Sequence, residues 1–198
     1  MIIEIKSAKK EKTEIYADGE YMFTVPAVIW YSSHFHEGDD VTEEELSALK
    51  VQGDSFMAFE SGMRMLSLRA HSEYEIRVKL TAKFTKDAAE SAVKRLSAAG
   101  LLDDEKFAFL LAEELYERKG YAPSRILFEL KNRGISGNYA ENAINALDID
   151  KEISIIKIIE KYGIDENSSP KEKNRAIRRL MNMGYSFSEI SKYINIYE

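Results

Sequence analysis

Two places in this chain of 198 residues hold acid and base side chains close enough in sequence to act together. His34 and His36 are followed by Glu37, Asp39 and Asp40, side-chain types that ligate zinc. Residues two apart share a face of an extended segment but leave a third ligand unfixed, and this stretch reads as a solvated turn. Asp103 and Asp104 form a second acidic pair. Acids in the first turn of a helix complement its dipole, so capping explains them better than acid–base chemistry does. No glycine-rich phosphate cradle and no Ser-His-Asp order can be argued. Cysteine is absent, which rules out a thiol nucleophile, a thiolate metal site and a disulfide framework. The expectation is a protein with no catalytic residues, no metal and no cofactor.

Surface charge offers more. Over 170–183, Ala176, Ile177, Leu180 and Met181 form an apolar stripe at helical spacing. On the other side Lys171, Arg175, Arg178 and Arg179 lie within about 100° of one another. Exposed faces usually mix signs, and only Glu172 lies near these four, so the face suits phosphate or an acidic protein surface. A second basic region combines Lys79 and Lys83, one turn apart, with Arg77 on the other flank of the stripe Ile76, Leu80 and Phe84. Lys94 and Arg95 add charge from the next helix. Arg125, Glu129 and Arg133, spaced by four, instead predict mutual ion pairing.

These side chains must be positioned by helices. From Asp54 onward the apolar period is 3.6, and an offset of 50 residues brings Ile76, Ile126 and Ala176 into register. The same offset aligns Leu80, Leu130 and Leu180, then Phe84, Gly134 and Gly184, then Thr85, Ile135 and Tyr185. Three copies of a three-helix unit follow, with helices over 55–68, 72–84 and 86–98, over 104–118, 123–133 and 137–147, and over 150–162, 170–183 and 187–196. Ser72 with Glu75, Ser169 with Glu172 and Ser186 with Glu189 have capping-box spacing, and Pro123 and Pro170 sit at first helical positions. Gly100, Gly120, Gly134, Gly163 and Gly184 mark the stops.

The front of the chain differs. Ile3 and Ile5, then Ile15, then Tyr21, Phe23 and Val25 alternate as strands do, and Asp18-Gly19 predicts a hairpin turn. Pro26 ends the last strand, and short helices are expected over 27–31 and 42–50, the latter opened by Thr42 and Glu45. The fold class is mainly α, with three tandem three-helix repeats (55–102, 103–147, 148–198) in an extended array after a β-rich extension, 1–54. That extension carries 5 Lys and 12 acids, a net charge of -7, whereas the rest of the chain stands at +1. The overall charge of -6 therefore does not exclude contact with nucleic acid by the repeats. No apolar run approaches the 18 or so residues of a membrane span, and a cytoplasmic setting is expected.

Arg69, His71, Ser72, Glu73, Glu75 and Leu80, followed by Leu96, Gly100, Leu102, Asp103, Asp104, Phe107 and Ala108, resemble the RecX family, regulators of the RecA recombinase. Gly120, Pro123, Arg125, Ile126, Glu129, Leu130, Gly134 and Ile135 continue the match, with a weaker echo at Arg178, Leu180, Gly184 and Tyr185. The resemblance implies three tandem three-helix units in a curved row. It also implies a protein that binds the groove of the RecA–DNA filament and restrains strand exchange, ATP hydrolysis and co-protease activity; a monomer is expected. Single- and double-stranded DNA would be met through or beside RecA. Glu113 and Glu114 stand where the family often has basic residues, which argues against direct DNA contact by the second copy. The alternative is a stand-alone DNA-binding protein whose units act like helix-turn-helix modules.

Overall fold

In the computed structural model, which describes residues 1–8 and 11–194, the chain folds as two compact units, Met1–Leu102 and Asp103–Glu198. It is mainly helical, with one small antiparallel sheet.

The first unit opens with strands β1 (Ile3–Ala8), β2 (Lys12–Ala17) and β3 (Glu20–Pro26), adjacent in chain order. Asp18 and Gly19, at φ +50° and +79°, make the two-residue turn that the Asp-Gly pair predicts. Register places Ile15 between Ile5 and Phe23. Ile3, Ile15, Phe23 and Val25 point into a core closed by Trp30 of helix α1 (Ala27–Ser32) and by Leu46 and Leu49 of helix α2.

Helix α2 runs unbroken from Glu43 to Leu68. This corrects the two separate helices expected over 42–50 and 55–68, and the border drawn at 54/55 falls inside it. Gly53 is a packing site: a Cβ there would meet Val25 at 2.6 Å, and one at Gly62 would meet Leu96 at 2.6 Å. Each glycine costs about 1 kcal/mol of helix propensity, and close approach of β3 and α4 to the bare backbone offsets it. One end of α2 thus completes the sheet core. The other joins α3 (Glu73–Thr81) and α4 (Lys86–Ala98) around Ala58, Ile76, Leu80, Ala92, Val93 and Leu96. Leu102 belongs to that same core, and its neighbour Leu101 is exposed.

The second unit contains α5 (Asp104–Glu117), α6 (Pro123–Asn132), α7 (Asn138–Asn145), α8 (Lys151–Lys161), α9 (Pro170–Asn182) and α10 (Phe187–Ile190). One core gathers Phe107, Leu111, Leu115, Ile126, Leu130 and Ile135, and the next gathers Ile155, Ile158, Ile177, Leu180, Tyr185 and Ile190. Backbone and side-chain bonds join the two triples: Ala122 N–H donates to Met183 O (2.9 Å), Tyr185 Oη to Gly120 O (3.0 Å) and Ser124 Oγ to Gly184 O (2.8 Å). Gly184, at φ +96°, is required at that joint, because a Cβ would lie 2.7 Å from the Cβ of Arg125. Past Ile190 the chain turns rather than continuing as the expected helix, and the expected residues 195 and 196 lie outside the described residues.

The 50-residue register needs one adjustment. Ile135 and Tyr185 donate their N–H to Leu130 and Leu180, whereas in the first copy Phe84, not Thr85, donates to Leu80. The first copy makes this turn without a glycine and one residue shorter. Thr85 is consequently the exposed N-cap of α4.

Candidate functional site

The joint between α2 and α3 is held by charge. Ser72 and Glu75 form a capping box, and Glu75 also receives Arg69 through two nitrogens, at 3.1 and 3.2 Å, and contacts His71 Nδ1 at 3.2 Å. Burial acts to raise the pKa of Glu75, yet Arg69, the Ser72 N–H and His71 together keep it below the ordinary value. His71 is buried, and burial, helped by Arg69 and Lys79, lowers its pKa against the pull of Glu75. The cluster is a brace for α3, with its titratable groups facing one another.

The predicted cations of the first copy fall into two kinds. Arg77 is held by Glu73 and, at 2.9 Å, by Glu90, and the bond to Glu73 leads the effects that raise its pKa. Arg95 lies 4.2 Å over the Phe59 ring. Lys79, Lys83 and Lys94 are exposed and have no ion-pair partner among the described residues. In the second copy Glu129 receives Arg125 at 2.8 Å and Arg133 at 3.2 Å, the pairing the spacing predicts.

The third copy keeps its charge open. Ala176, Ile177 and Leu180 are buried, and Lys171, Arg175 and Arg178 are exposed without ion-pair partners among the described residues. Arg179 lies 4.5 Å over the Tyr162 ring. Met181, expected in the buried stripe, is 49 % exposed and lies outside the core that holds Leu180. The capping boxes at Ser169–Glu172 and Ser186–Glu189 are both formed. Lys151 bonds Glu189 at 2.7 Å and, with Ser186, brings that carboxyl down to about 2.

Asp103 caps α5 by accepting from the Lys106 N–H at 2.9 Å, and Asp104 lies in the first turn. Gly100 and Gly134 adopt φ +68° and +77° after α4 and α6, and Phe107 is buried in the second copy's core. Near His34, the His36 backbone N–H donates to the Asp39 carboxylate at 2.7 Å and His36 Nδ1 lies 3.7 Å from it, while Asp40 engages the N-terminal ammonium.

This arrangement of units has known counterparts. Models described as the first and second three-helix domains of RecX match residues 58–96 and 103–144. A regulatory protein RecX from Bacillus velezensis is 30% identical over 199 residues, covering 96% of this chain and 74% of that protein. The chain belongs to the RecX family. A RecX from Caldanaerobacter subterraneus is 27% identical over 97% of this chain and 96% of its own length. Among solved structures, a crystal structure of regulatory protein RecX superposes with TM-score 0.66 at 20% identity, covering 99% of both chains. RecX from Lactobacillus salivarius superposes with TM-score 0.55 at 21% identity, over 70% of this chain and 93% of that one. These two support the fold.

In this RecX chain Lys119, Lys157, Lys161 and Tyr162, which no sequence motif singles out, line pockets of the second unit. Lys157 and Lys161 are one turn apart on α8, a signal present in the sequence, but their nearness to α9 is tertiary. Among the described residues no helix is long and apolar enough to cross a membrane, and no group of three His, Asp or Glu side chains could hold a metal ion.

Proposed function

We propose that this chain regulates the RecA recombinase, mainly as an inhibitor, by lying in the groove of the RecA–DNA filament and modulating strand exchange, ATP hydrolysis and co-protease activity. Membership of the RecX family supports the partner. The observation that carries the reading within this chain is the open cationic face of α9, where Lys171, Arg175 and Arg178 have no ion-pair partner among the described residues. Lys79, Lys83, Lys94 and Arg95 of the first copy are the companion contacts. They face DNA phosphate or acidic RecA surface, and Arg77, already paired twice, serves the fold more than the partner.

Tandem units suit a filament because the first unit to bind raises the effective concentration of the next at a neighbouring site. Each added contact need only be weak. Exposed cations act through screened charge, so the interaction should weaken as salt rises.

The test is RecA-catalysed ATP hydrolysis on single-stranded DNA with and without the full chain, as a monomer, under conditions where RecA is saturated with DNA. The rate should fall as the protein is added. An unchanged rate at protein equimolar with RecA, together with tight binding to bare duplex, would favour the stand-alone DNA-binding alternative instead.

A further inference from the structure

Two pockets of the second unit meet at one side chain. The larger, about 380 Å³, lies between the C-terminal end of α5, α8 and the turn after α9, and its lining includes Lys119, Lys157, Lys161 and Tyr162. The smaller, about 180 Å³, is lined by Tyr162, Arg175 and Arg179 among others. Tyr162 is the wall they share. Lys157 and Lys161 are one turn apart on α8 and Arg175 and Arg179 one turn apart on α9, so each pair spans about 6 Å along its helix. The two helices pack together, and the tyrosine at the C-terminal end of α8 stands between the cation rows.

Tyr162 is not a core side chain. It is 40 % exposed, and its ring is braced on one side by the Arg179 guanidinium at 4.5 Å. A braced, partly open ring flanked by cations is what an unpaired nucleic-acid strand needs, since phosphates follow the charges while a base stacks on the ring or on the guanidinium. A duplex keeps its bases stacked on each other and can use only the cations. The lining also holds Glu117, Asp148 and Asp150. Asp150 is the cap of α8, accepting from Ile153 N–H at 3.0 Å. The acids leave the larger pocket only weakly basic, so charge alone would make a poor DNA site and stacking must supply the preference.

We infer that the α8–α9 face binds a single DNA strand in preference to duplex, with Tyr162 as its stacking platform and Lys157, Lys161, Arg175 and Arg179 tracking the backbone. This deepens the reading of the α9 cations given above, and rests on it for Arg175.

The test is fluorescence anisotropy of the full chain, without RecA, on labelled oligo(dT) and on a duplex of equal length at low salt. Tyr162→Ala should weaken oligo(dT) binding about ten-fold and duplex binding less than about two-fold, while Tyr162→Phe should bind as the parent does. Lys157→Ala with Lys161→Ala should weaken both and flatten the salt dependence. As a second readout, Tyr162→Trp should lose emission on adding oligo(dT) and keep it on adding duplex; the chain's own Trp30 is buried in the first unit. Equal losses on strand and duplex for Tyr162→Ala, no loss at all, failure of Tyr162→Phe to bind, or no binding of oligo(dT) by the parent would each overturn the inference. Inhibition of RecA by the same variants is scored separately. A chain that inhibits RecA but ignores oligo(dT) refutes the strand site and leaves the regulatory reading standing.

Discussion

Helices α6 and α9 occupy the same place in their repeats, and at an offset of 50 residues Arg125 corresponds to Arg175, Phe128 to Arg178 and Glu129 to Arg179. Both are opened by proline and both bury the same two apolar positions, Ile126 and Leu130 in one, Ala176 and Leu180 in the other. Their outer faces differ at Phe128 against Arg178 and, with the larger effect on pairing, at Glu129 against Arg179. Glu129 collects Arg125 and Arg133 into a closed ladder, whereas an arginine at the corresponding place in α9 leaves Arg175 and Arg178 without ion-pair partners among the described residues. A scaffold that buries the same stripe can thus carry paired or open arginines outside at little cost to its core, because the switch lies on the solvent side.

The comparison breaks most visibly if the ladder is rebuilt in α9. Arg179→Glu should draw in Arg175 and remove two units of positive charge from the face. The concentration needed to inhibit RecA ATP hydrolysis should rise about ten-fold, through lost phosphate or acidic contacts, with the melting temperature unchanged. The reverse exchange, Glu129→Arg, should destabilise the second unit by about 1–2 kcal/mol, since it removes two partly buried pairs and sets three arginines together. That is a fall of several degrees in a domain of this size, read by calorimetry, and it should increase affinity for bare DNA.

A smaller effect separates the units by pH. His71 has a lowered pKa in the fold, so its contribution is complete above the unfolded value near 6.5 and is lost as the pH drops below it. Glu189, held at about 2, contributes above the ordinary carboxylate value and loses that contribution between there and about 2. On acidification the α2–α3 joint of the first unit should therefore loosen before the third copy does, as amide exchange can report. His71→Gln should remove the first step and leave the second. Smallest is Asp103→Ala, which removes the cap of α5 and should cost about 1 kcal/mol, measured in urea.

Much of this was legible in the sequence because it is local. Ser72 with Glu75 and Ser186 with Glu189 signal through a spacing of three, Asp18-Gly19 through backbone preference, and the Glu129 ladder through a spacing of four. What escaped the sequence is decided by partners far along the chain. Gly53 continues α2 because Val25 lies against it. Arg77 pairs locally with Glu73, but its second partner, Glu90, is thirteen residues on and in another helix. Phe84 takes the place predicted for Thr85 because its turn closes without a left-handed glycine. Tyr162 gains its meaning from Arg179, seventeen residues away on the next helix.

The central claim is that the open face of α9, and not the chain's charge in general, engages the filament. It is tested most directly by titrating the parent and the triple variant Arg175→Glu, Arg178→Glu, Arg179→Glu into RecA hydrolysing ATP on single-stranded DNA, with each variant's melting curve in hand. The parent should inhibit and the equally stable triple variant should not; inhibition by the triple variant at the parent's concentration would contradict the account.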